Sequence, residues 1–120
     1  MEYSEVLIWV VIFAHVVFAA MQAFRWSFVA KKLLKIEDPE AITKTAPVGK
    51  SFASYNFSVA VGLGLSFSLS ESAAYDVQLT VMALIVFTGV VGFLGTGSKV
   101  IFLGRLLPAA AVVALLVLGL

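Results

Sequence analysis

The sequence contains no cysteine and little charge. Without cysteine there can be no disulfide, no thiolate nucleophile and no cysteine-bound metal. Charged residues make up 12% of the 120 residues and hydrophobic residues 62%, whereas soluble proteins average about 25% and about 45–50%, respectively. A short water-soluble chain needs a mostly polar surface, because its surface is large relative to its volume. This composition cannot supply one, so it predicts a protein surrounded by lipid.

Several functional signatures are also absent. The net charge of +1 gives no case for binding nucleic acid. The apolar segments contain no carboxylate pair, nucleophile elbow, phosphate loop or histidine cluster, so we expect no cofactor and favour a non-catalytic protein. We also expect no metal, because His15 has no second histidine, cysteine or nearby carboxylate beside it. Met1 is followed by neither a basic region nor a cleavage site, so the first apolar run should be retained as a membrane span.

Four apolar segments are long enough to cross a membrane as helices, which takes about 20 residues. They cover about residues 5–24, 51–70, 76–95 and 100–120. Only helices and closed barrels satisfy their backbone groups in lipid, and four long segments suit helices. Large and small residues alternate over residues 61–70, as in a strand, but we expect a loosened helix end there. The sequence therefore predicts an all-α integral membrane four-helix bundle, with residues 1–120 forming a single transmembrane domain.

Basic residues are concentrated in the connection between the first two spans. Six of the eight lysines and arginines lie there: Arg25, Lys31, Lys32, Lys35, Lys44 and Lys50. Loops rich in lysine and arginine stay in the cytoplasm. We therefore expect a basic cytoplasmic connection, both termini outside, and a multi-pass protein of the inner (plasma) membrane. The lipid bilayer is then the first partner of the chain.

The same connection contains an apolar and basic stretch followed by two prolines. Residues 24–36 are expected to continue the first helix beyond the membrane, either as an interfacial helix or as a helix end with snorkelling lysines. Pro39 and Pro47 are expected to break the chain, because proline cannot donate the helical hydrogen bond. Pro47 could instead begin the second membrane helix, where that donor is not needed.

Small residues form stripes in the second and third spans, and such stripes allow helices to pack closely in lipid. A small residue recurs at every fourth position of the second span, and glycine recurs at every third position near the end of the third. The residues expected to pack helices are Ser54, Ser58, Gly62, Ser66, Gly89 and Gly92. The stripes could pack within the chain or against another subunit. The second alternative would make the protein a homo-oligomer or part of a larger membrane-protein complex.

Strongly polar side chains inside the predicted spans are candidate functional residues, because polar groups are costly in lipid. At a rise of about 1.5 Å per residue, four of them share one depth near the cytoplasmic side: Gln22, Tyr55, Asn56 and Arg105. His15 lies closer to the midplane. Arg105 could reach out to a lipid phosphate, or turn inward, bond to Gln22, Tyr55 or Asn56 and helix carbonyls, and hold an anionic or polar head group. His15 could be a buried hydrogen-bonding residue or could contact a ligand or transfer a proton.

Through several of these residues, the chain resembles a bacterial family of small four-helix membrane proteins that is catalogued only as a domain of unknown function. Its members show a Glu-His pair in helix one, a run containing Tyr-Asn at the start of helix two, a Tyr-Gly late in helix three and a Gln-Gly-x-Pro-Ala motif in helix four. The matching residues kept by this chain are His15, Tyr55, Asn56, Gly92, Pro108 and Ala109. The chain departs from the family's motifs at Ala14, Ser51, Phe52 and Arg105. The resemblance implies the fold and the membrane location, but no reaction.

Three hypotheses for function remain open. The first is a non-catalytic accessory or assembly subunit that packs against other membrane helices, because the small-residue stripes are present and catalytic sets are absent. The second is a membrane-embedded enzyme or binder for a lipophilic molecule with a polar head, in which Arg105 contacts an anion, Tyr55 and Asn56 orient the ligand, and His15 supplies a hydrogen bond or a proton. The third is a small transporter, and the lack of an intramembrane carboxylate counts against it.

Overall fold

The computed structural model describes residues 2–120, and over this range the protein is all-helical, as predicted. The helices are α1 (Tyr3–Phe24), α2 (Trp26–Lys32), α3 (Pro39–Ser66), α4 (Glu71–Thr96) and α5 (Lys99–Leu118). The alternating segment at 61–70 is helical as far as Ser66 and continues as turns. No strand therefore occurs within the described range.

Within residues 2–120, three helices are long and apolar enough to cross a membrane: α1, α4 and α5. Large apolar side chains cover their outer faces, with Phe13 71% exposed, Phe87 67% and Leu94 76%. Soluble proteins rarely expose so much contiguous apolar surface, so the pattern fits contact with lipid. α3 contains most of the second predicted span but is not among the three, because Tyr55, Asn56 and several serines dilute its apolar residues. The fourth crossing therefore stays a prediction.

α1 buries a single stripe of residues along its length. The members recur at spacings of three and four, which places them on one helical face: Ser4, Ile8, Val11, His15 and Ala19. At the start of the helix, the N–H of Glu2 donates to Oε2 of Glu5 at 3.3 Å. Because His15 belongs to the buried stripe, it faces the interior of the protein.

The first helix does not continue through residues 24–36, so that prediction is wrong. The backbone of Arg25 leaves the helical region (φ −130°, ψ 41°), and a separate short helix, α2, begins at the next residue. The interruption lets α2 bury Trp26, Val29 and Ala30 in a cluster with Ile42 of α3. Much of the apolar surface of this connection is therefore packed against the protein itself.

α3 begins well before the predicted second span. Oδ1 of Asp38 caps the helix by accepting from the N–H of Glu40 at 3.1 Å. Residues 33–38 are not helical and Pro39 starts α3, so the chain breaks before Pro39 as predicted. The prediction that Pro47 breaks the chain or begins the second membrane helix is wrong, because Pro47 lies inside α3. Proline is tolerated in a first helical turn, where its missing donor is not needed. At Pro47 the helix survives the lost hydrogen bond, since packing of the Ile42 turn on α2 outweighs local propensity.

The long helices pack so that α1 contacts both α3 and α5, and α4 contacts α5. They share a core made of Ile8, Val11, Leu63, Met82, Ile85, Ala109 and Val112. Contact between α3 and α4 is the least extensive among these neighbours. It is secured at one end, where Nε2 of Gln78 donates to Oγ of Ser66 at 2.9 Å. Farther along, the two helices separate, and a cavity lies between them.

The chain has two ends along the helix axes. The acidic end contains both ends of the described chain and the α3–α4 turn (residues 67–70). There the N–H of Ser4 donates to the carbonyl of Leu120 at 3.3 Å, and Glu2, Glu5 and Glu71 line one surface pocket. The basic end contains the α1–α3 connection (residues 25–38) and the α4–α5 turn (residues 97–98).

Candidate ligand cavity

A cavity of about 740 Å³ lies between α3 and α4 and extends towards the basic end. Its α3 wall includes Asn56, Ser58 and Gly62, and its α4 wall includes Leu84 and Thr88. Ser58 and Leu84 are also exposed at the protein surface, so the cavity opens sideways between the two helices. In a membrane this opening would face acyl chains. The volume is within the range of about 300–1,000 Å³ found for small-molecule sites.

Trp26 of α2 covers the cavity at the basic end. Its indole N–H donates to Oγ1 of Thr45 at 3.0 Å, and its ring lies so close to Gly49 that a Cβ there would collide with it. Trp26 is buried and lines the cavity together with Leu34. A ligand would therefore enter through the lateral opening between α3 and α4. No residue pattern predicts the role of Gly49, because the side chain that it contacts comes from another helix.

Gln22 and Asn56 join α1 to α3 in the cavity wall. Nδ2 of Asn56 donates to Oε1 of Gln22 at 2.7 Å, and Asn56 is 3% exposed. Tyr55 also lines the cavity but is 70% exposed, so it stands at the outer rim. The structure thus brings Gln22, Tyr55, Asn56 and Arg105 to one cavity.

Arg105 lies in a π-helical segment of α5, Phe102–Leu106. In this wide turn the N–H of Leu107 donates to the carbonyl of Phe102, five residues back. The segment precedes Pro108, whose ring would clash with the carbonyl four residues back in a regular α-helix. π turns are rare and are often found at functional sites. Here the turn positions a cationic side chain against the cavity.

Arg105 is the one charged residue that lines the cavity, counted over residues 2–120. Its Nε is buried and has no hydrogen-bond partner within that range. The ion pair that the described residues do form joins Lys44 to Glu40, on the surface of α3. A buried donor without a partner costs about 1–3 kcal/mol, and more when it is charged. Arg105 is half-buried and lines the cavity, but the predicted bonds to Gln22, Tyr55 or Asn56 do not form within residues 2–120, and no carboxylate of the described chain matches its charge.

The serine and threonine hydroxyl groups in the cavity wall are already bonded to their own helices. Oγ of Ser58 donates to the carbonyl of Ser54 at 2.8 Å. Thr88 and Thr96 of α4 donate in the same way, to Ile85 and Gly92 respectively. Serine and threonine commonly bond back to the preceding turn in this manner. These groups therefore do not use Arg105 as a partner, and their donors are not available to a ligand.

His15 is fully buried and is not among the cavity-lining residues in the described range. Its Nδ1 lies 2.9 Å from the carbonyl oxygen of Val11. A carbonyl can only accept, so Nδ1 carries the proton and Nε2 is the acceptor in the neutral ring. Nε2 has no hydrogen-bond partner within residues 2–120. His15 packs edge-on against the ring of Phe18. The Phe18 ring in turn lies next to Gly104 of the π-helical segment, so Phe18 separates His15 from that segment.

The predicted helix-packing residues of α3 fall into two settings. Ser54 and Ser58 are exposed, and a Cβ at Gly62 would meet no atom of the described chain within 4 Å. Ser66, in contrast, is buried and bonded to Gln78 of α4. The part of the stripe nearer the basic end is therefore left uncovered by residues 2–120.

Gly89 and Gly92 of α4 lie against α5. A Cβ at Gly89 would come within 3.1 Å of the Leu106 Cβ and 3.2 Å of its Cα. A Cβ at Gly92 would have an ordinary contact of 3.5 Å with Cγ2 of Ile101. Gly89 thus lets α4 approach the backbone of the π-helical segment closely, whereas a Cβ at position 92 would fit without any shift of its neighbours.

The fold and the site together define a class: an all-helical protein with helices able to cross a membrane and a cavity that opens between two helices. Residues 9–117 match the family described as "Protein of unknown function (DUF1304)", and the chain belongs to that family. This match confirms the predicted membership of a family of unknown function. No curated protein and no solved structure matches the chain.

Proposed function

We propose that the protein binds a lipophilic molecule with a polar head group in the cavity between α3 and α4. The observation that carries the proposal is Arg105, an ionised side chain in a mostly apolar cavity, with no ion-pair partner among residues 2–120. Ionisable residues within membrane proteins mark ligand or ion sites. Asn56, held by Gln22, would orient the head group, and Trp26 would cover the aqueous side.

The proposal includes a membrane arrangement. α3 crosses the membrane beside α1, which makes four spans in the inner (plasma) membrane of a bacterium, with both termini outside. Two observations support this arrangement. α3 has its most extensive contact with α1, a helix apolar enough to cross. Six of the eight basic residues lie in the chain between residues 25 and 50, and loops rich in lysine and arginine stay in the cytoplasm.

The test places a large side chain in the cavity by substituting a glycine of its wall. Gly62 and Gly64 both lie in α3 and both have open space where a Cβ would stand, but of the two it is Gly62 that lines the cavity. The protein is placed in lipid nanodiscs with hexadecanol or hexadecanoic acid that carries a photoactivatable diazirine in its chain. We expect Gly62→Phe to lower crosslinking severalfold, because the phenyl ring occupies the ligand's space, and Gly64→Phe to leave it unchanged. Equal crosslinking of both variants and the wild type, with both probes, would contradict the proposal.

An accessory or assembly subunit is the second candidate function. Ser54, Ser58 and Gly62 form a face on which no helix of residues 2–120 is packed. The serine hydroxyls donate to carbonyls of their own helix, so a helix of a second copy or of another protein could approach closely. The same variants separate the two candidates. If Gly62→Phe dissociates an assembly seen by native mass spectrometry without changing the crosslinking of either probe, while Gly64→Phe does neither, the subunit is favoured.

A further inference from the structure

We infer that the ligand is a single-chain amphiphile with a carboxylate head, seated with the carboxylate on the guanidinium of Arg105 and the chain directed towards the acidic end. This inference rests on the proposed function and adds to it the charge, the size and the direction of the ligand. The polar groups of the cavity lie near its basic end, and the far end is apolar, so an amphiphile fits in one direction.

The charge of the head group follows from the charges in the cavity. Arg105 supplies a single positive charge, and the described residues that line the cavity supply no other. A carboxylate carries one negative charge, and its two oxygens match the fork of a guanidinium. An alkyl phosphate carries up to two negative charges, and one of them would stay unmatched in a low-dielectric site. A monoanion is therefore the better complement.

The other polar groups of the cavity leave this position to the ligand. Asn56 donates to Gln22, and the hydroxyls of Ser58, Thr88 and Thr96 donate to their own helices. None of these groups is bonded to Arg105 in the described chain. An incoming carboxylate would therefore not have to displace an internal partner of the guanidinium.

The length of the apolar part sets the size of the chain. Leu106, next to Arg105, lies against Gly89 of α4, and the cavity extends along α4 as far as Val81. Gly89 and Val81 are eight positions apart in α4, which corresponds to about 12 Å at a rise of about 1.5 Å per residue. Leu84 and Ile85 line this part. A cavity of about 740 Å³ is sized for one drug-sized ligand, which suits a single chain better than a complete two-chain phospholipid.

The head group, and not the chain, has to decide which molecule is bound. Moving an acyl chain from the bilayer into an apolar cavity exchanges one hydrocarbon environment for another, so it supplies little driving force. The ion pair with Arg105, in contrast, forms away from water, where electrostatic attraction is strong. We therefore expect the protein to discriminate between amphiphiles of equal chain length by the charge of their heads.

The experiment compares head groups on one chain. Hexadecanoic acid, hexadecanol and hexadecyl phosphate, each with the same diazirine in its chain, are crosslinked to the protein in nanodiscs at a pH where the acid is ionised. We expect the acid to label the α3 and α4 peptides about tenfold more than the alcohol, as a charge-assisted hydrogen bond allows, and more than the phosphate. In Arg105→Gln the preference for the acid over the alcohol should vanish, whereas Gly64→Phe, which lies outside the cavity, should keep it. Arg105→Lys, which keeps the charge, should retain part of the preference.

The outcomes separate the inference from the proposed function. If acid and alcohol label the wild type equally, or if the preference survives in Arg105→Gln, or if the phosphate labels more than the acid, the inference is wrong. The proposed function still stands in those cases, provided that Gly62→Phe lowers the labelling. If Gly62→Phe and the wild type are labelled alike by all three probes, the proposed function itself fails.

Discussion

Arg105 dominates the energetics of the cavity. An arginine at the centre of a membrane helix costs roughly 2.5–3.5 kcal/mol on insertion scales, and less nearer the interface, where Arg105 is expected to lie. The π-helical turn before Pro108 holds it where no carboxylate of residues 2–120 can pair with it. A bound anion would offset part of this cost, because it would give the guanidinium the partner that the described chain does not provide. The residue is thus better suited to a ligand than to structural support.

Gly49 supports the cover of the cavity, and its substitution gives a prediction at the level of a single residue. In a Trp9→Phe background Trp26 is the remaining tryptophan of the two, and phenylalanine can keep the stacking of residue 9 on Phe67. We expect Gly49→Ala to displace the Trp26 ring, shift its fluorescence to longer wavelength and lower the free energy of unfolding by about 1–3 kcal/mol, as overpacking does. Gly64→Ala is the matched control, since its Cβ meets open space. Identical spectra for the two variants would show that Trp26 does not rest on Gly49.

Polar residues of the cavity can be found from the sequence, because Gln22, Asn56 and Arg105 stand out within apolar segments. Their common depth follows from the helical rise and the alternating direction of the spans. The role of Gly49 cannot be found in this way, because it depends on a side chain from another helix. The same holds for the orientation of Arg105, which the sequence left open between lipid and interior.

Helix α3 shows what patterns can and cannot predict about an element. Its apolar second half predicts a helix, but the start of that helix at Pro39 depends on a cap and on packing against α2. Pro47 inside the helix contradicts the local rule for proline, because tertiary contacts outweigh local preference. The break at Arg25 has the same origin, since burial of Trp26 against α3 separates α2 from α1.

Packing between α4 and the π-helical segment of α5 gives a prediction at the scale of elements. Gly89→Ala would force its Cβ to 3.2 Å from the Cα of Leu106, which is backbone and cannot rotate away. Gly92→Ala gains the same helix propensity, about 1 kcal/mol, and makes only an ordinary contact with Ile101. We expect Gly89→Ala to have a lower thermal midpoint in detergent than Gly92→Ala. A midpoint for Gly89→Ala equal to or above that of Gly92→Ala would mean that the two helices are not closely apposed there.

For the whole molecule, entry of a ligand from the bilayer requires that α3 crosses the membrane. The all-helical fold and three apolar helices follow from composition and segment length. The cavity does not, because it arises from the limited contact between α3 and α4, which no local pattern encodes. If α3 crosses the membrane, the opening between α3 and α4 faces hydrocarbon and an amphiphile can enter from the bilayer. If it does not cross, the same opening faces water or the membrane surface.

Cysteine accessibility on either side of α3 tests this point most directly, because the sequence contains no cysteine of its own. Glu37 lies just before α3, Ser72 lies in the first turn of α4, and both positions are exposed, so cysteine is placed at each in turn. With a membrane-impermeant maleimide on intact bacterial cells, the account predicts that Ser72→Cys is labelled at once and Glu37→Cys only after the cells are permeabilised. Labelling of both positions from the same side of the membrane would contradict it.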